Sequence, residues 1–220
     1  MGRRRATDRH GRRTLLVDAA VACIRREGPD ASMADIAAEA GVTKPILYRH
    51  FRDKADLEDA IAARFTETIA TQLRRTMRRS DHPRAVLRAS VDSYVRLVER
   101  ETNIYRFLVH RGRPSISIEG EIEHFMRRLG DEIGLVLGEA MRELGLDSGP
   151  AEVWGHGIVG MVSASVDRWV ERRVLPRSRL VEYLTDLAWT GLNGATRSAA
   201  AVPATGRPPA DVVPMRRTRS

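Results

Sequence analysis

The chain has one cysteine, two lysines, few aromatic residues (5%) and no long apolar run in its 220 residues. The lone Cys23 cannot form an internal bridge, and a chain this long buries a core without covalent staples. A disulfide scaffold is therefore excluded, and a reducing cytoplasm is the expected setting. No stretch approaches the roughly 18 uninterrupted apolar residues that span a bilayer. The basic opening is not followed by the apolar segment and small-residue site of a secretion signal. Apolar and polar residues do not alternate over any length that would make a half-buried strand. What is present is an ordinary globular composition, 42% apolar with a mean hydropathy of −0.34.

The net charge of +8 is unevenly placed. Residues 1–13 carry six Arg and one Asp, and residues 196–220 five Arg and one Asp, leaving 26 basic and 27 acidic side chains between them. Both ends read as disordered. The first, leading straight into a folded segment, suits contact with a polyanion through counterion release; the second, rich in Pro, Ala and Arg, reads as a solubilising tail. Both lysines, Lys44 and Lys54, fall within one short segment.

Every substantial segment has a helical period, so the expected fold is all-α with about nine helices. Leu15, Leu16, Ala19, Cys23 and Ile24 mark the first helix, which Gly28 and Pro29 stop. Ser32 opens a short second helix with Asp35 as a capping-box partner; Met33, Ile36, Ala37 and Ala40 form its stripe, and Gly41 closes it. Thr43 caps a third helix with Pro45 in its first turn, where a missing N–H is harmless. Leu57, Ile61, Phe65, Ile69, Leu73 and Met77 mark a long fourth helix. A fifth turns Leu87, Val91, Tyr94 and Val98 inward, and a sixth runs near Ile104 to His110. The seventh has a long stripe that includes Ile122, Phe125, Met126, Leu129, Ile133, Val136, Met141 and Leu144. The eighth runs from Pro150 to Val174, and the ninth turns Leu180, Leu184, Leu187, Ala188 and Leu192 to one side.

Helices two and three, joined by Gly41, Val42 and Thr43, have the dimensions of a helix-turn-helix, which offers its second helix to the DNA major groove. On a helical wheel Leu47 and Phe51 face inward. Lys44, Pro45, Arg49 and His50 face outward or flank, with Tyr48 at the margin, presenting cations, a phenol and an imidazole to phosphates and base edges.

Residues 32–57, SMADIAAEAGVTKPILYRHFRDKADL, resemble the DNA-binding segment of the tetracycline-repressor (TetR) family of transcriptional regulators. The resemblance is sharp over about residues 14–60 and architectural beyond. It implies a helix-turn-helix domain over 14–57 and a ligand-binding and dimerisation bundle over 58–195, flanked by the arm 1–13 and the tail 196–220. It also implies that Ser32, Thr43, Tyr48, His50 and Lys54 bind the DNA backbone, while Lys44, Pro45 and Arg49 lie nearest the bases. Pro45 departs from the small or polar residue common there, and offers apolar contact but no hydrogen bond. The implied partners are a palindromic double-stranded operator, a second copy of the chain and a small apolar effector that relieves repression. No membrane and no cofactor are implied. Helices eight and nine are the expected interface, where Gly155, Gly157, Gly160, Ser163 and Ala164 permit close approach. The rival reading is a helical small-molecule-binding protein whose basic hairpin is incidental.

Several motifs are set aside. Gly155, Gly157 and Gly160 spell a dinucleotide fingerprint but lie in helical surroundings rather than after a strand. Gly130, Gly134 and Gly138 read as close packing between soluble helices, since Asp131 and Glu132 interrupt the segment. His110, His124 and His156 fall on different helices with no paired His spacing, and no metal is expected. No nucleophile, base and orienting group come together, so the chain is not expected to be an enzyme. The effector pocket expected in the bundle draws on Tyr94, Tyr105, Phe125, Met126, Met161 and Trp169, with Arg106 and His110 as its polar end.

Overall fold

The computed structural model describes residues 2–77, 82–109 and 116–201, with side chains at 11–76, 82–109 and 122–194. Among them every element is helical: α1 (Gly2–Glu27), α2 (Met33–Glu39), α3 (Lys44–His50), α4 (Lys54–Met77), α5 (Pro83–Arg100), α6 (Thr102–Val109), α7 (Ile116–Glu143), α8 (Ala151–Arg172) and α9 (Arg177–Ala201). The all-α expectation holds for the described residues. Two boundaries differ from it. The backbone of the basic arm, expected to lack structure, is helical from Gly2, and α9 runs on to Ala201. His110 and residues 202–220 lie outside the described residues.

Local chemistry sets the helix ends. Gly28, Gly41 and Gly145, within two residues of the ends of α1, α2 and α7, all have positive φ, the region a side chain disfavours. At Gly41 the turn closes by two bonds: its N–H donates to the Ala38 carbonyl, and the Val42 N–H reaches back to Ala37, both at 3.0 Å. Gly145 repeats this closure on Arg142 and Met141.

The first core joins Leu16, Val17, Ala20, Cys23 and Ile24 of α1 to Met33, Ile36, Leu47 and Phe51, then to Leu57, Ile61 and Ala62 of α4. Ile104, Phe107 and Leu108 of α6 complete it. The N-terminal head is thus fused to the bundle through α6 as well as α4. Leu15, expected inward, is exposed, and Val17 and Ala20 take the buried face instead. A second core packs α5, α8 and α9 through Val91, Val95, Val166, Trp169 and Leu184; a third packs α4, α5 and α7 through Ile69, Leu73, Leu97 and Phe125.

Helices α7 and α8 approach at backbone distance. A Cβ on Gly155 would stand 2.5 Å from the Gly130 carbonyl oxygen, and one on Gly134 would stand 2.9 Å from the Glu152 Cα. This is the close soluble packing expected of the Gly130, Gly134, Gly138 repeat. Gly155, expected between subunits, is spent inside the chain, whereas Gly157 and Gly160 face open space. Val136, Leu144 and Leu187, read as inward, are exposed, as are Leu135, Val153 and Tyr183.

Candidate nucleic-acid interface

Ser32 begins the site. Its hydroxyl accepts the backbone N–H groups of Ala34 (3.2 Å) and Asp35 (3.3 Å), and its own N–H donates to Asp35 Oδ2 at 2.8 Å. This is the expected capping box. The Ser32 hydroxyl, donating at 2.6 Å, and then its amide hold the Asp35 carboxyl below its ordinary value. Thr43 sits at the N-cap of α3 as expected, but its side chain makes no cap hydrogen bond and is exposed. A threonine hydroxyl freed from capping is available to an external acceptor such as a phosphate.

α3 is oriented by two anchors. Leu47 and Phe51 are both 0% exposed, which fixes the rotation of the helix. Lys44, Pro45 and Arg49 are then exposed, Tyr48 is 44% exposed, and His50 is half-buried. Lys44 with Tyr48, and Pro45 with Arg49, are each one turn apart on the same outward surface. The Tyr48 ring lies further out than a margin position implies. Lys54 opens α4 half-buried, with Nζ 3.7 Å from Glu58 Oε1, a loose contact that leaves its charge available.

Two basic residues in the head play parts that the sequence did not reveal. Arg13, counted with the arm, stacks on Phe51 and donates to the His50 carbonyl at 2.8 Å and to Asp56 Oδ1 at 2.7 Å. It ties α1 to the α3–α4 joint. Arg13, then the Arg52 N–H, outweigh partial burial and hold the Asp56 carboxyl below its ordinary value. Arg52, with a side chain 85% exposed, adds a cation beside the reading surface. Its place directly after the buried Phe51 was the available signal.

The residues expected to line an effector pocket separate into groups. A cavity of about 70 Å³ lies between α4, α5, α7 and α8, bounded by Leu73, Leu87, Tyr94, Met126, Ile133 and Val162 among others. Tyr94 and Met126 are part of its wall. Tyr105, Phe125 and Trp169 are buried core, and Met161 packs against it. The Trp169 indole N–H donates to the Leu175 carbonyl at 2.7 Å, and Arg106 donates to the Val170 carbonyl at 3.2 Å. Both serve the fold. Burial raises the Tyr94 phenol to about 12, against the lowering effect of its hydrogen bond with Tyr105; Tyr105 is raised further by burial and by Tyr94 and Asp167. His124 is exposed on α7, while His156 meets Asp131 at 2.9 Å.

A buried-anchor helix-turn-helix with an outward cationic surface, set on a helical bundle, defines a DNA-binding regulator. Comparison with known proteins gives the family. Residues 16–61 match the model "Bacterial regulatory proteins, tetR family", and residues 72–204 match "Tetracyclin repressor-like, C-terminal domain". An uncharacterized HTH-type transcriptional regulator of Mycobacterium tuberculosis is 35% identical over 201 residues, spanning 88% of this chain and 83% of that one. The HTH-type transcriptional activator FasR of Mycolicibacterium smegmatis is 27% identical, over 81% of each chain. A transcriptional regulator of Rhodococcus sp. RHA1 superposes with a TM-score of 0.69 at 19% identity, covering 87% of this chain and 99% of that one. The chain belongs to the TetR family of transcriptional regulators. No helix among the described residues is long and apolar enough to cross a membrane.

Proposed function

We propose that this regulator works in the cytoplasm, by binding alone, as a homodimeric repressor released from a palindromic operator by a small apolar effector. The observation that carries the DNA half of this reading is the 0% exposure of Leu47 and Phe51, which leaves Lys44, Pro45 and Arg49 exposed; these three are assigned to the bases. Ser32, Thr43, Tyr48, His50 and Lys54 are assigned to the phosphates beside them. Residues 14–57 are assigned to reading DNA and 58–195 to effector and partner, with α6 shared between the two cores.

The homodimer rests on α8 and α9. Val153, Gly157 and Gly160 of α8 and Tyr183 and Leu187 of α9 turn apolar or small side chains to solvent. A second copy meeting this surface would cover them and set two reading heads on one face of a duplex.

The effector assignment rests on the apolar cavity, whose wall includes Leu73 of α4. At about 70 Å³ the cavity has room for a few waters or a small apolar group, so a drug-sized effector must enlarge it. Opening it presses on α4, which carries Lys54 at its other end. Coupling of this kind changes DNA affinity by up to about a hundredfold. Of the polar side chains assigned to the pocket, Tyr94 borders this cavity, and His110 lies outside the described residues.

Selection of bound fragments from the source genome tests the reading. An inverted repeat with half-sites about one helical turn or a multiple apart is expected. Recovery of fragments without a shared sequence would overturn it.

A further inference from the structure

Asp131 of α7 and Glu152 and His156 of α8 converge where the two helices cross. His156 Nε2 lies 2.9 Å from Asp131 Oδ1, and one ligand atom from each of the three residues falls within 4.8 Å of the others. Glu152 and His156 are four residues apart, so both project from the same side of α8. The Glu152 carboxylate makes no hydrogen bond or ion pair among the described residues. The imidazole is held in place by α7: a Cβ on Gly130 would stand 2.5 Å from His156 Nδ1. That edge of the ring packs against α7, and Nε2 meets the Asp131 carboxylate. The glycine-lined crossing beneath fixes the two backbones that carry the ligands.

We propose that Asp131, Glu152 and His156 form a binding site for a first-row divalent cation of the Zn²⁺ type. One imidazole nitrogen with two carboxylate oxygens favours such an ion over Mg²⁺ or Ca²⁺, which prefer all-oxygen sets. A tetrahedral ion about 2.1 Å from each ligand sets the ligands about 3.4 Å apart. The His156–Asp131 separation of 2.9 Å is somewhat shorter than that value, and no pair exceeds 4.8 Å. A groove of about 320 Å³ beside Asp131, Glu152 and Arg142 supplies an entry path and room for water in the fourth position. Arg142 in this groove reaches toward Ser148 Oγ at 3.5 Å. A bound ion staples α7 to α8, the helices that give Met126, Ile133, Ile158 and Val162 to the apolar cavity, and so stiffens one wall of it.

The test uses the full chain, stripped with a chelator, titrated with Zn²⁺ by calorimetry and with Co²⁺ by visible absorption. One ion per chain, a four-coordinate Co²⁺ band and a raised thermal midpoint are expected. His156→Ala and Glu152→Gln should each weaken binding at least tenfold and abolish the band, while His124→Ala leaves both unchanged. His156→Gln and Asp131→Asn keep side-chain size at the crossing and supply the same comparison should His156→Ala misfold. Absence of Zn²⁺ binding, or equal binding by the ligand variants, overturns the proposal.

Discussion

The Arg13 guanidinium lies 4.4 Å from the centroid of the buried Phe51 ring. The same group holds the His50 carbonyl and the Asp56 carboxylate. One side chain of α1 therefore fixes the end of the reading helix and the start of the helix that leaves it. Arg13→Ala should lower stability by about 1–2 kcal/mol, from lost stacking and charge-assisted hydrogen bonds. Denaturant midpoints measure it, and a midpoint equal to wild type would show that the contact is idle.

Asp56 and Glu101 give the fold an acid limit. Burial pushes Glu101 upward, but Arg25, at 2.7 and 3.0 Å, and Arg100 overcome it and hold the carboxyl below its ordinary value. Asp56 is likewise lowered, chiefly by Arg13. A carboxyl lowered in the folded state stabilises fully above its unfolded value, near 4.5 for Glu101 and 3.8 for Asp56, and that contribution fades as pH falls through the folded value. Thermal midpoints should therefore drop below about pH 4.5, and Arg25→Ala should flatten the drop. Arg25→Ala should also cost about 1–2 kcal/mol at pH 7, because a nearly buried Glu101 keeps only Arg100. An unchanged pH profile in that variant would rule the pair out as its source.

The α7–α8 crossing predicts opposite outcomes for two neighbouring glycines. Gly155→Ala forces a methyl group against the Gly130 carbonyl and should destabilise by about 1–3 kcal/mol. Gly157→Ala meets nothing within 4 Å in its own chain, so the protomer itself should be equally or more stable through helix propensity, and a midpoint that falls with dilution more steeply than wild type reports the proposed dimer contact instead. Melting curves of the two variants decide the point.

Tyr94, at the cavity wall, is held neutral by burial, with its phenol raised to about 12. It therefore remains a donor across pH 6–9. Ultraviolet difference titration of wild type against Tyr94→Phe should show no tyrosinate from this residue below about pH 11, and an earlier step would place it in solvent.

Much of the head was legible because its determinants are local. Ser32 with Asp35 and the Gly41 turn are contacts within a few residues, and a 3.6-residue period suffices to place Leu47 and Phe51 inside. What stayed hidden depends on distant segments. Leu187 and Val136 lie on apolar stripes, yet among the described residues both are exposed. Phe107 completes the head core from α6, far along the chain. Arg13 reads as one more cation of the arm until Phe51 lies beneath it. Glu152 and His156 escaped a search for paired imidazoles alone, and Asp131 joins them only through the glycine-lined crossing. Trp169 lies on α8, one of the helices around the cavity, and Arg106 on α6, which does not border it; both are engaged with carbonyls rather than with the cavity.

The most direct measurement is a titration of the full chain against a duplex carrying the selected inverted repeat and against a scrambled duplex, at several salt concentrations, for wild type, Arg49→Ala and Tyr48→Ala. The account predicts tight binding confined to the repeat. Arg49→Ala should lose about 1–3 kcal/mol of that preference, and Tyr48→Ala should weaken binding to both duplexes alike. Equal affinity for the two duplexes, or full retention of the preference in Arg49→Ala, would contradict the claim that the exposed side of α3 reads the operator.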